Sequence, residues 1–241
     1  MAHTDSGNAL LDLVACADGP ATARMMRSAR LLDVETGQTL QQQECVVESC
    51  YFPISGVLTL TCSLDADIQV NTLAVGSDGA VHASVGTNLN RAAHQVICRL
   101  SGQLWEVDAA SWHALVDSNN AVRRVVANYT DFMLQRLQQM LACEMHHDVE
   151  SRVCRSLIEL HGWQKERPLE ITHQGLSELL GVRRTTITLV ARALQDAGII
   201  SYTRGRIEIS DLYALRQASC ACHEQLHAWR DAYPSASSAM A

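Results

Sequence analysis

The sequence predicts an α+β protein whose β-rich first half is tied by one long helix to a helical second half tipped by a hairpin. Three observations predict it. Apolar and polar residues alternate in short runs between Leu31 and Val107. Apolar residues then recur every three or four positions from Asn119 to His147. A compact pattern of helix, glycine, helix and hairpin fills Thr172 to Ile209.

In the first half, Leu58, Leu60 and Cys62 alternate with Thr59, Thr61 and Ser63, and Val96, Cys98 and Leu100 alternate with Ile97 and Arg99. Thr36-Gly37, Ser55-Gly56, Ser77-Asp78-Gly79 and Ser101-Gly102 break these runs as turns. Period-two runs of this length predict a compact β barrel or roll, with flanking helices, over residues 1–117.

Residues 118–147 predict a single long helix. Its stripe of Val122, Val126, Tyr129, Met133, Leu137 and Met140 is longer than one small domain covers. It therefore reads as a dimer seam between two copies of the chain.

Residues 148–230 carry the most informative stretch. Thr172 can cap a helix with its hydroxyl, and Leu176, Leu179 and Leu180 fall on one face of it. Gly181 suits the positive φ that lets the chain leave one helix and begin the next within a few residues. A second helix, from about Arg183 to Ala197, buries Ile187, Val190, Ala191 and Leu194, and leaves Arg184, Thr185, Thr188 and Arg192 outward. Ile199 to Tyr202 and Arg206 to Ile209 then form two short strands around Thr203, Arg204 and Gly205. This is the layout of a winged helix-turn-helix. The tail PSASSAMA, within 231–241, is expected to be mobile.

Charge sorts the same way. The chain carries a net charge of −7, yet Arg183 to Arg206 holds five Arg against one Asp. The acid lies in Met1 to His147, with eight basic and fifteen acidic residues, whereas the remainder has eleven of each. A solvated helix face would explain the charge alone, but the charge and the layout together point to double-stranded DNA. Arg184 and Thr185 are expected to read bases, Arg183, Thr186 and Thr188 to read or position, and Arg204 and Arg206 to hold phosphates. Thr172 and Gln174 complete the DNA-binding set from the first helix.

With these residues in view, the chain resembles the Crp/Fnr superfamily of bacterial transcription regulators. The likeness is carried by LLGVRRTTITLVARALQDAGII, RGRIEI, SCACHEQL, YFPISGVLTL and LAVGSDGAV, and it covers nearly the whole chain. It implies a β-roll of the cyclic-nucleotide-binding type, a homodimer built on the long helix, a role at promoters with RNA polymerase as a partner, and a possible small-molecule effector. Relatives that bind cyclic AMP pair a Gly-Glu for the ribose with an Arg followed by Ser or Thr for the phosphate. Here Arg91 is followed by Ala92 and Ala93, and no Glu stands in VGSDGAVHASVG, so cyclic AMP is not expected. Arg91 could meet another anion, a cyclic dinucleotide included, or be a solvated loop residue. The loop Val75, Gly76, Ser77, Asp78, Gly79 resembles a signature of one branch and could line a cavity. Many relatives carry Glu at the position of Thr185 and Arg at that of Leu189. The half-site should therefore differ from the family's usual one.

Composition narrows the alternatives. No apolar run of 18 residues is present to span a membrane, and the start MAHTDSGNALLDL does not read as a signal peptide, so a cytoplasmic location is expected. Nine Cys without framework spacing fit a reducing compartment. Cys220, His223 and His227 would share one face of a helix, with Cys222 pointing away. They are weak metal candidates, and no cofactor is assigned. His146 and His147 beside Asp148 read as a helix cap, and Cys154 between Arg152 and Arg155 is the one Cys with the context of a reactive thiol. Catalytic motifs such as Gly-x-Ser-x-Gly, Gly-x-x-x-x-Gly-Lys and His-Glu-x-x-His are missing, so no enzyme is expected. A metal- or redox-responsive regulator, or a signalling module whose C-terminal half binds a protein, are the competing readings.

Overall fold

The computed structural model describes residues 5–65, 68–84, 91–165 and 167–238. Two helices, α1 (Ala9–Ala17) and α2 (Gly19–Met26), precede seven strands: β1 (Arg30–Val34), β2 (Thr39–Gln41), β3 (Ser49–Pro53), β4 (Val57–Asp65), β5 (Ile68–Val75), β6 (Gln95–Leu100) and β7 (Gly102–Asp108). Helices α3 (Ala109–Ser118), α4 (Asn120–His146) and α5 (Val149–Trp163) follow. The remainder is α6 (His173–Leu180), α7 (Arg184–Asp196), β8 (Ile200–Thr203), β9 (Arg206–Ile209), α8 (Leu212–Ala218) and α9 (Cys222–Ser238). The tail expected to be loose from 231 is thus helical as far as Ser238.

The first seven strands form two antiparallel sheets, ordered β1-β7-β3 and β2-β6-β4-β5. Val34, Tyr51, Leu58, Leu73, Val96, Cys98 and Leu104 fill the space between them. This is the expected roll. A second core packs Leu10, Leu11 and Val14 of α1 with Phe52, Trp112 and the first half of α4. Trp112 is fully buried and meets Phe52 edge-on at 4.9 Å, a preferred geometry for aromatic pairs.

The alternation in β4 has an unexpected partner. Thr59 and Thr61 are buried rather than solvated. The winged unit covers their face: Arg99 on β6 donates to Thr59 Oγ1 and reaches Glu178 on α6 at 2.9 Å, while Asn71 Nδ2 donates to the Glu178 carbonyl at 2.6 Å. A half-polar face buried with its hydrogen bonds made costs little, so Thr serves there as well as Val.

Helix α4 is capped by Asn119, whose side chain accepts from the amides of Ala121 and Val122. Only His147 and Asp148 separate it from α5, which Asp148 caps through Ser151. Val122, Val126 and Tyr129 do not form a free seam as the sequence stripe suggested. They are buried against α1 and the roll of their own chain, and Met133 packs beside them. Met140 is half-buried beside Leu179 and Leu180. The exposed apolar line is instead Leu134, Leu137, Leu141 and Met145, of which only Leu137 belonged to the predicted set. The helix carries two apolar faces, and the roll has taken the first.

Candidate nucleic-acid interface

The winged unit forms locally as its sequence dictates. Thr172 Oγ1 accepts from the Gly175 amide at 3.0 Å and starts α6. Gly181 ends it at φ +63, the left-handed turn a side chain would strain. Helix α7 then begins after Arg183 and buries Ile187, Val190, Ala191 and Leu194 into a core with Leu157, Leu176, Ile200 and Ile207.

Strands β8 and β9 pair from Ile200 with Ile209 to Thr203 with Arg206. Thr203 therefore belongs to the ladder, one residue later than the sequence suggested. The turn is Arg204-Gly205 alone, with φ +45 and +86, the two-residue primed type that matches strand twist. A side chain on Gly205 would sit 3.2 Å from Thr172 Cγ2, so the wing packs close to the start of α6.

The residues expected to bind DNA lie as follows. Thr172, Gln174, Arg183, Arg184, Thr185, Thr188, Arg204 and Arg206 are exposed, and Thr186 is half-buried. Arg183, Arg184, Arg204 and Arg206 have no ion pair among the described residues, whereas Arg192 lies 3.9 Å from Asp196. Two members have other bonds. Gln174 donates to Glu178 at 2.9 Å, and Thr188 donates to the Arg184 carbonyl at 3.0 Å while meeting His173 Nδ1 at 3.1 Å. His173, which sequence reasoning missed, stacks on Tyr202 with ring centroids 4.1 Å apart and joins α6, α7 and the wing. Burial, and then the charge of Arg184, hold its imidazole below the usual value. Leu189 is 70% exposed on the same helix, an apolar group suited to a thymine methyl.

The roll holds a cavity of about 480 Å³ beneath α4. Leu60, Leu73 and Met133 line it, with His82, His94 and Arg91 at its polar side. Of the predicted ligand residues, Val75 and Arg91 reach it. Arg91 is exposed and donates to the Glu44 carbonyl at 2.6 Å; residues 85–90 before it lie outside the described set.

The rest of the loop does something else. Gly76 abuts the Trp163 ring, Gly79 abuts Tyr129, Ser77 accepts from the Ala9 amide at 2.9 Å, and Asp78 faces Arg136 at 3.8 Å. These residues join the roll to α4 and α5 rather than lining the cavity.

The cysteines also differ from expectation. Cys220 precedes α9, so it does not share a helix face with His223 and His227. His223 Nδ1 meets Ser219 Oγ at 2.7 Å, and His227 bonds Arg230. Cys222 does not point away: it joins Cys220 near Cys143 and His147, two groups at the end of α4. His147 also caps α4, its amide donating to the Cys143 carbonyl. Cys154 is buried, and its thiol is pushed up to about 12 by that burial and then by Glu150 and Asp148, so the flanking Arg residues do not activate it.

Residues 151–218 match the Crp-like helix-turn-helix domain. No curated protein matches the chain. Among solved structures, FixK2 from Bradyrhizobium japonicum is similar with a TM-score of 0.67 at 12% identity, covering 80% of this chain and 98% of its own. TTHB099, a transcriptional regulator of the CRP family from Thermus thermophilus, gives 0.63 at 14%, covering 78% and 96%. The c-di-GMP responsive global regulator CLP from Xanthomonas campestris gives 0.61 at 18%, covering 80% and 99%. At these identities the likeness speaks for the fold, and the matched domain speaks for DNA. Residues 151–218 are thus a Crp-like helix-turn-helix domain, carried behind a β-roll and a long helix in a fold that FixK2 and TTHB099 share.

Proposed function

We propose that the protein binds a near-palindromic operator as a homodimer and that a small ligand in the roll adjusts the fit. The cations Arg183, Arg184, Arg204 and Arg206, gathered on the outward face of α7 and the wing without an ion pair among the described residues, carry this reading. Phosphates are the partners they lack, and an Arg at the start of a recognition helix is placed for a bidentate contact to guanine.

The division of labour follows the chain: residues 1–117 as sensor, 118–147 as dimer helix and 148–230 as reading head. Leu134, Leu137, Leu141 and Met145 recur by three or four residues on the uncovered side of α4 and supply a self-complementary seam. A two-fold dimer built on it would set its recognition helices about 34 Å apart, one DNA turn. RNA polymerase is the downstream partner, the cytoplasm the location.

The cavity's apolar lining, with His82, His94 and Arg91 at one side, suits a mainly apolar effector bearing one anionic or polar group. CLP answers to c-di-GMP by its description. Arg91 here lacks the neighbouring hydroxyls that would complete a cradle for a cyclic phosphate. The effector would act by shifting the population of dimers whose reading heads match adjacent grooves.

Selection from a randomised duplex pool tests the reading. Enrichment of a two-fold symmetric site by the purified protein is the expected result, with cyclic mono- and dinucleotides added in parallel arms. Retention of no DNA in any arm would overturn it and favour a protein partner for the winged unit.

A further inference from the structure

Four side chains that the DNA-reading apparatus does not use meet where α4 ends. Cys143 and His147 stand one helical turn apart there, and Cys220 and Cys222 flank the bend between α8 and α9. Their ligand atoms all lie within 4.8 Å of one another. Cys143 Sγ is 3.6 Å from Cys220 Sγ, and Cys222 Sγ is 3.6 Å from His147 Nδ1.

The two 3.6 Å spacings match edges of a tetrahedron, and a 4.8 Å limit on the rest leaves small side-chain shifts to close it. An ion holding thiolates at about 2.3 Å and an imidazole at about 2.0 Å keeps its ligand atoms about 3.5 to 3.8 Å apart. A disulfide would need about 2.05 Å. The three Cys are buried and His147 is half-buried, so four protein ligands would close the coordination sphere and leave no position for substrate. Three thiols with one imidazole form a soft set that favours zinc over calcium, magnesium or manganese.

The surroundings supply the charge such a site needs. Three thiolates, one neutral imidazole and a divalent ion leave one net negative charge in the interior. Arg155 is fully buried beside Cys143 and Cys220, and its Nε and one terminal nitrogen have no hydrogen-bond partner among the described residues. Buried cation donors of this kind orient and stabilise ligating sulfurs from outside the coordination sphere.

We propose that Cys143, His147, Cys220 and Cys222 form a structural zinc site that clasps the end of α4 to the start of α9. On binding, each of the three thiols gives up its proton to solvent as its sulfur bonds the ion, and His147 supplies the Nδ1 lone pair. The ion would span the junction at His147 and Asp148, tying both ends of the winged unit to one point of the dimer helix. That this orients the reading head for DNA rests on the function proposed above; metal content does not, so the two can fail separately.

The test is the zinc content of the full chain, purified under reducing conditions without chelator and checked for folding by circular dichroism. About one zinc per chain is expected, together with a lower thermal midpoint once a chelator strips it. Exchange for Co²⁺ is expected to give intense tetrahedral d–d bands and sulfur-to-cobalt charge-transfer absorption. Cys143→Ser and Cys220→Ser should lose both signals, while His223→Ala, Cys16→Ser and Cys45→Ser keep them. Should the Ser variants fail to fold, stripping and reloading the wild-type protein carries the same readout. A folded chain with neither zinc nor cobalt spectrum, iron with acid-labile sulfide, or a Cys143–Cys220 disulfide in the reduced preparation would each overturn the proposal.

Discussion

The guanidinium of Arg136 lies 4.6 Å above the ring of Trp163, and the same side chain reaches Asp78 on the roll and Glu159 on α5. One buried cation from α4 therefore holds the Asp78 loop of the roll and α5 together. Removing it strips Asp78 of this ion pair, while Glu159 keeps Arg155 at 2.8 Å. Breaking a buried pair costs about 3 to 5 kcal/mol, and the retained partner argues for the lower end. Arg136→Ala is expected to lower the thermal unfolding midpoint by several degrees, and an unchanged midpoint would remove the joint from the stability of the fold.

Gly76 makes the same joint from the other side. A side chain there would overlap the Trp163 ring, and neither the loop nor a buried indole can yield without moving an element. Gly76→Ala is expected to push α5 from the roll, lowering the thermal midpoint and changing affinity for duplex DNA; an unchanged midpoint and an unchanged affinity would refute the joint.

Arg184 and Arg204 should fail differently. Arg184→Ala is expected to lose about 1 to 3 kcal/mol of binding and to relax selectivity at one base pair, as loss of a base contact does. Arg204→Ala should weaken all sequences alike and flatten the dependence of affinity on salt. Equal, sequence-blind losses in both would sink the division of roles.

The two faces of α4 can be told apart by substitution. Leu141→Asp, on the exposed line, should give folded monomers in analytical ultracentrifugation. Tyr129→Phe should leave the proposed dimer intact but cost about 1 kcal/mol of stability, because its hydroxyl donates to the Ala80 carbonyl at 2.7 Å and accepts from the Ala80 amide at 2.8 Å. A monomeric Tyr129→Phe with Leu141→Asp still dimeric would reverse the assignment.

Acid should weaken the wing. His173 is held below the usual imidazole value of 6.5 by burial and by Arg184, so the unfolded chain takes up a proton that the folded chain refuses. Stability is then full above about 6.5 and declines as pH falls from there to the lowered folded value. His82 and His227 shift in the same direction. His173→Gln should therefore flatten part of the slope of unfolding free energy between neutral and mildly acidic pH, and an identical slope in the variant would refute the contribution.

Local chemistry made the reading head legible. A Thr cap, a Gly at positive φ and a 3.6-residue apolar period fix α6 and α7 without reference to the rest of the chain, and the observed α7 falls within a residue of its predicted limits. The turns of the roll were legible for the same reason. Facing was not. Two apolar lines run along α4, and period alone cannot say that Val122, Val126 and Tyr129 cover the roll while Leu134, Leu137 and Leu141 stay open. Nor could spacing bring Cys143 to Cys220, because the meeting depends on where α8 delivers the chain. The Cys-x-x-x-His step at 143 to 147 and the Cys-x-Cys at 220 to 222 were the available signals, and each is weak alone.

The clasp at Cys220 also bears on the order in which the protein is made. The roll is complete once Asp108 has emerged, and the first half of α4 finds α1 and Trp112 already in place. The face bearing Cys143 must wait for a partner 77 residues further along the chain. Synthesis in chain order thus completes the roll first and leaves Cys143 without its partner until the segment bearing Cys220 and Cys222 has emerged. A nascent chain cut short before Cys220 would keep the cavity of the roll and the Arg136 joint, and would lack the clasp at the end of α4.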